Sequence, residues 1–219
     1  LSLTIDLALQ QAAEAAMPDS LAGCIVAMDV RTGAILALVS YPDFDPNVFV
    51  SYQSQKERKR LVQGKNNPLL NRAVQGRYPP GSILKMVAAV GALELGITDT
   101  LSTYEACVGS LKVGDVVFNC NNRSGHGEQN LLEAIETSCN VYFHHLVMGL
   151  GMDDWRAYAQ RFGFGQPSGI GLLPEEYAGL LPDKAYYADK EGWTLGHLLN
   201  LVIGQGAMLA TPVQVARYV

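Results

Sequence analysis

The sequence predicts a mixed α/β protein, and three observations carry that reading. Residues 23–30 and 34–40 are apolar runs of strand length separated by Arg31-Thr32-Gly33, the pattern of a β-hairpin. The runs barely alternate, so both faces of the hairpin should be covered. Tyr78-Pro79-Pro80-Gly81 then halts the chain, and the stretch from Ser82 to Gly96 reads as an almost wholly apolar helix that belongs inside the protein. Residues 131–135, 141–148 and 154–162 are three more helical patterns.

The remaining elements follow in order. Residues 7–17 form an Ala-rich helix with Asp6 as N-cap and Pro18 as its stop. Tyr41-Pro42-Asp43-Phe44-Asp45-Pro46-Asn47 is a loop of turn-formers, in which Asp43 and Asp45 read as turn caps rather than an acid–base pair. Residues 51–67 gather Lys56, Glu57, Arg58, Lys59, Arg60 and Lys65 into a solvated helix and loop. Residues 97–129 lack periodicity and need another source of order. Residues 169–187 are irregular, and a last helical region, 194–203, leads into Gly204-Gln205-Gly206.

Composition narrows the function classes. The 219 residues are 48% hydrophobic and 17% charged, enough for a sizeable core in one or two lobes. A net charge of −5 gives no reason to expect nucleic acid. No apolar run reaches membrane-spanning length, and the first residues carry no basic leader. The segment 214–219 stops within a helical pattern, so the chain reads as an excised piece.

Two constellations carry chemistry. Ser82 and Lys85 are three apart at the start of the buried helix, where a hydroxyl and an amine share one face. Dry surroundings disfavour the ammonium, and a neutral lysine can take the serine proton. Ser138-Cys139-Asn140 sits between two helical patterns, offering a hydroxyl to relay protons and a carboxamide to orient an amide or the lysine. Separately, Cys107, Cys120, His126 and Cys139 fall in or beside the poorly ordered stretch. They suit a tetrahedral Cys₃His zinc site whose binding energy would order it. A Cys107–Cys120 disulfide and free thiols remain open readings of the same residues. Cys24 reads as a core residue of a strand, and His144, His145 and His197 as core or surface histidines; no pattern suggests a Ser-His-Asp triad.

With Ser82-Ile83-Leu84-Lys85 and Ser138-Cys139-Asn140 identified, the chain resembles the penicillin-binding transpeptidases nearly end to end. Thr4-Ile5-Asp6-Leu7 is similar to the opening of that domain, and Gly33-Ala34-Ile35-Leu36-Ala37-Leu38-Val39 with Phe44-Asp45-Pro46-Asn47 to its first hairpin and loop. Gly204-Gln205-Gly206 with Thr211-Pro212 and Gln214 is similar to the segment before the third motif. The class B, rod-shape type resembles it most, since Gly125-His126-Gly127 recurs there.

The resemblance implies the serine β-lactamase-like fold, with a sheet-bearing lobe (about 1–96 and 166–219) and a helical lobe (about 97–165) around a cleft. It implies a peptidoglycan D,D-transpeptidase of cell elongation. Ser82 would attack the penultimate D-Ala carbonyl of a D-Ala-D-Ala stem peptide, with Lys85 as base and Ser138 and Asn140 assisting. β-Lactams would acylate Ser82, and structural Zn²⁺ would sit on Cys107, Cys120, His126 and Cys139. The resemblance also implies the periplasmic face of the bacterial inner membrane, an N-terminal anchor outside this chain, and glycosyltransferase and elongation-complex partners. A D,D-carboxypeptidase, a β-lactam-hydrolysing relative and a non-catalytic sensor domain share this fold. One departure stands out: the third motif, K-[ST]-G, is absent, its nearest candidate being Lys190-Glu191-Gly192. The C-terminal strands of the sheet should therefore be missing, leaving the hairpin with an exposed apolar edge.

Overall fold

The computed structural model describes residues 2–50, 55–64, 66–171, 176–188, 190 and 192–219. Lys65 of the basic stretch and Glu191 of the Lys-Glu-Gly candidate lie outside the described residues. In chain order the elements are α1 (Leu7–Ala15), β1 (Gly23–Met28), β2 (Ile35–Tyr41), α2 (Gln55–Val62), α3 (Lys85–Glu94), β3 (Ser110–Val113), β4 (Val116–Asn119), α4 (Leu131–Glu136), α5 (Asn140–Leu150), α6 (Met152–Arg161), α7 (Lys184–Ala188), α8 (Leu195–Val202) and α9 (Pro212–Tyr218). Short 3₁₀ turns cover Pro46–Phe49 and Gly81–Leu84. No helix among the described residues is long and apolar enough to cross a membrane.

The chain divides into two compact units. The first comprises Leu1–Tyr78, Pro167–Ala178 and Ala210–Val219. Its centre is the expected hairpin, β1 antiparallel to β2 with Ile25 opposite Val39 and a bulge at Ala27/Met28. Alternation assigns its two faces to different cores. Ile25, Ala27, Ala37 and Val39 pack with Ala13 and Met17 of the α1 region. Cys24, Val26 and Leu38 pack with Ala73, Val74 and Val213, the last on α9. Each face thus needs apolar residues, which erases the polar/apolar rhythm. Coverage is less complete than expected, with every residue of β1 only half-buried. Asp6 caps α1 by accepting from the Leu9 N–H at 2.9 Å.

The second unit comprises Pro79–Gln166 and Gly179–Leu209. It takes in residues 79–96 and 179–209, which the sequence reading assigned to the sheet-bearing lobe. The reason is packing: α3 lies against α5 and α6, and α8 lies against α5. Phe143, Leu146 and Val147 on α5, Val87, Ala88 and Ala92 on α3, Trp155 on α6 and Leu199 on α8 are all fully buried. Each large side chain contributes about 1.5–3 kcal/mol by leaving water. The contact is close enough that a Cβ on Gly91 would lie 2.9 Å from the Tyr158 ring. The α3 region is not buried all round, because Ile83, Met86, Leu93 and Leu95 remain exposed. The loop reading of 97–129 is also corrected in part: Ser110 to Asn119 forms the β3–β4 hairpin, turning at Gly114-Asp115. Its strands are only four residues long, too short for a periodic signal.

Candidate active site and thiol cluster

Pro79, Pro80 and Gly81 prevent a regular helix start, and the chain enters α3 through the 3₁₀ turn carrying Ser82. The helix thus begins at Lys85, later than the sequence reading placed it. Gly81 has a φ of 71° and donates its N–H to the Gly204 carbonyl at 3.0 Å. A Cβ on Gly204 would sit 2.1 Å from the Gly81 carbonyl oxygen, so only glycine allows this backbone approach. The sequence marked Gly204-Gln205-Gly206 without showing that it pins the serine turn.

Ser82 is exposed, whereas Lys85, one turn on, is buried with 3% of its surface accessible. Lys85 Nζ donates to the Ser138 carbonyl at 2.6 Å, to Ser138 Oγ at 2.9 Å and to Asn140 Oδ1 at 2.7 Å. Three acceptors for three protons satisfy the ammonium, and among the described residues Ser82 is not one of its partners. Burial pushes the Lys85 pKa down to about 8, with Cys120 and Cys139 acting in the opposite sense. Asn140 Nδ2 donates to the Asn119 carbonyl at 3.0 Å, which fixes the orientation of its amide and keeps Oδ1 on the lysine.

The Ser138 position has its own physics. Asn130 and Glu133 form a capping box that starts α4, and the helix ends at Thr137. Ser138 N–H then donates to the Ile135 carbonyl at 3.1 Å and Cys139 N–H to the Ala134 carbonyl at 2.9 Å, the two bonds of a Schellman motif. That motif places Ser138 at the left-handed position usually given to glycine, with φ 53°. A side chain there costs about 1–2 kcal/mol. In return the Ser138 hydroxyl and carbonyl both face Lys85. Cys139 is at once the N-cap of α5, accepting from Tyr142 N–H at 3.5 Å.

Cys139 also belongs to the second constellation. Cys107 and Gly127 exchange backbone hydrogen bonds of 2.8 and 3.0 Å, which sets His126 beside Cys107. Cys120 N–H donates to the Gly109 carbonyl at 2.9 Å. The donor atoms of Cys107, Cys120, His126 and Cys139 all lie within 4.8 Å of one another. His126 Nδ1 is 3.8 Å from Cys107 Sγ and 3.5 Å from Cys120 Sγ, and the Cys120 and Cys139 sulfurs are 3.9 Å apart. A tetrahedral zinc with ordinary bond lengths requires ligand–ligand edges of about 3.5–3.8 Å, so the four residues fit that ion. Electrostatics agrees. Burial raises Cys120, but N–H groups of Val141, Asn122 and Asn140 aimed at its sulfur outweigh this and hold the thiol below its ordinary value. Burial, with Cys120 adding, pushes Cys139 up to about 12. Three buried sulfurs cannot all ionise beside the single ammonium of Lys85, and a divalent ion removes that conflict. All four cysteines are free thiols, and Cys24 packs in the first unit.

The other candidates have structural roles. Asp45 accepts from Asn47 N–H at 2.9 Å and caps a 3₁₀ turn. His197 Nδ1 accepts from Thr194 N–H at 3.1 Å at the start of α8. His144 is fully buried on α5 with its ring edge-on to Phe118, and burial, helped by the Lys85 charge, pushes its pKa down to about 4.

Known proteins resemble this chain in sequence and fold. The chain is 41% identical over 219 residues to the peptidoglycan D,D-transpeptidase MrdA of Acinetobacter baumannii, covering 99% of this chain and 32% of that protein. It thus spans about a third of that relative's length. Pseudomonas aeruginosa PBP2 in complex with WCK 5153 matches with a TM-score of 0.90 and 38% identity, over 99% of this chain and 47% of that one. Helicobacter pylori PBP2 in complex with MreC matches with a TM-score of 0.84 and 34% identity, over 90% of this chain and 37% of that one. The pattern of the penicillin binding protein transpeptidase domain fits residues 23–219, most of the chain. On that match the chain belongs to the penicillin-binding protein transpeptidase domain family.

Proposed function

We propose that this chain carries the acylating centre of a peptidoglycan D,D-transpeptidase. One observation bears most of the weight: a buried lysine one turn after an exposed serine, held by Ser138 and Asn140. With its pKa near 8, Lys85 is neutral in about a tenth of molecules at pH 7, against about three in ten thousand for an ordinary lysine. In the neutral form it takes the Ser82 proton as Oγ attacks the penultimate D-Ala carbonyl of a stem peptide. The C–O bond forms, the C–N bond to the last D-Ala breaks, and the leaving amine receives a proton passed through Ser138. Backbone N–H groups, one of them from Ser82, hold the oxyanion. An amine from a neighbouring strand then attacks the acyl-enzyme, returning Ser82 to its hydroxyl form. Asn140 orients the peptide amide while it holds Lys85.

Cys107, Cys120, His126 and Cys139 would hold a structural Zn²⁺, whose contribution is to order residues 107–139. The similarity to a PBP2 solved with MreC supports an elongation-complex setting. The periplasmic face of the inner membrane, reached through an anchor outside this chain, follows from the same reading.

The test is intact mass of the natural protein after incubation with a penicillin, beside a Ser82→Ala control. A single adduct lost in the control is expected. An unmodified wild-type protein overturns the enzyme reading, and rapid loss of the adduct to water would favour a β-lactam-hydrolysing relative.

A further inference from the structure

We infer that Asn121 is a positioning residue for Ser82 acylation, an inference that rests on the roles just given to Lys85, Ser138 and Asn140. The residues on either side of Cys120 grip the residues on either side of the Ser138-Cys139 pair. Asn140 Nδ2 donates to the Asn119 carbonyl at 3.0 Å, and Asn121 Nδ2 donates to the Thr137 carbonyl at 3.1 Å. Each connection supplies one carboxamide and one backbone carbonyl, so two short segments are clamped face to face.

The clamp acts on a specific torsion. The Thr137 carbonyl and the Ser138 N–H belong to one peptide plane, and the angle between that plane and the Ser138 Cα substituents is φ of Ser138. That φ is 53°, a left-handed value that a non-glycine residue keeps only when its surroundings enforce it. The Ser138 N–H end of the plane is held by the Ile135 carbonyl at 3.1 Å. Among the described residues Asn121 supplies the side-chain donor that holds the carbonyl end. Lys85 grips the next plane through the Ser138 carbonyl at 2.6 Å. With both planes fixed, the Ser138 Cβ is set in a position from which the hydroxyl reaches Lys85 Nζ at 2.9 Å. Without the Asn121 donor the Thr137–Ser138 plane can rotate, carrying the hydroxyl off the lysine. Asn121 itself is exposed and touches neither Ser82 nor Lys85, so it acts through Ser138.

The Asn121 side-chain Oδ1 accepts from Cys120 Sγ at 3.1 Å, which makes the choice of variant matter. Asn121→Asp is isosteric and removes the donor, while Asn121→Ala removes it without adding charge beside the thiols. In the intact protein, penicillin acylation is measured over a range of drug concentrations, with zinc content and melting temperature in parallel. The expected result is an acylation rate at saturation reduced about tenfold in both variants. The half-saturating concentration, zinc content and melting temperature of Asn121→Ala stay at the wild-type values. Acylation of Asn121→Ala at the wild-type rate overturns the inference. So does a slow Asn121→Ala that has also lost zinc or melts early, since that residue would then act on the fold. Failure of the wild-type protein to acylate at all would instead remove the underlying enzyme reading, and this inference with it.

Discussion

Lys85 has an ammonium matched to three acceptors in a buried setting, and desolvation, opposed by Cys120 and Cys139, brings its pKa down to about 8. The sign is set by which form works. In the mechanism proposed above the neutral amine is the base, and it becomes common only as pH rises through about 8. Acylation by penicillin should therefore climb about tenfold per pH unit below 8 and level off above it, read from labelling rates between pH 6 and 9.5. A flat profile would mean that Lys85 is not the titrating base. Ser138 poses the complementary test, because its left-handed backbone suits glycine better. Replacing Ser138 with Gly relieves that strain and removes one hydrogen bond to Lys85, two changes of about 1 kcal/mol and opposite sign. The variant should melt within a few degrees of wild type yet acylate at least about 100-fold more slowly. A Ser138→Gly protein that acylates normally would exclude the hydroxyl from proton transfer.

Elements place these residues, and they differ in how well the sequence announces them. The β1–β2 hairpin, α1 with its Asp6 cap, and the long apolar helices were legible because each is written in local chemistry: a turn, a cap, a run of buried side chains. The Ser82/Lys85 and Ser138/Asn140 pairs were legible as residue types, and the structure joins them through Lys85 rather than through Ser82. The β3–β4 hairpin, the Gly81–Gly204 pairing and the Asn121 and Asn140 amide bonds to Thr137 and Asn119 were not. The hairpin's four-residue strands are too short to alternate visibly, and the other contacts join groups distant in sequence, which leave no periodicity. Gly204 shows the cost of such a contact. A Cβ there would collide with the Gly81 backbone, so Gly204→Ala must push the Ser82 turn aside. About 2–3 kcal/mol of local destabilisation and at least a tenfold slower acylation are expected. Thermal melts and labelling of that variant would show whether the turn is pinned from this side.

At the scale of the whole molecule, the first unit is held by two small apolar cores on either face of a hairpin. The second joins a helical core to a loop region in which three thiols and an imidazole converge. Removing a bound ion should therefore act unevenly. Chelation is expected to lower the melting temperature and expose Cys107, Cys120 and Cys139 to a thiol reagent. It should also slow acylation, since Cys139 stands between Ser138 and Asn140. Unchanged thiol reactivity under chelation would argue that no ion is held there. The Gly81–Gly204 pairing also sets an order of events. During synthesis the segment bearing Ser82 emerges long before Gly204, and until that glycine arrives nothing holds the serine turn from the far side. The geometry around Ser82 is thus completed late, although the residues that contact Lys85 have all been made earlier.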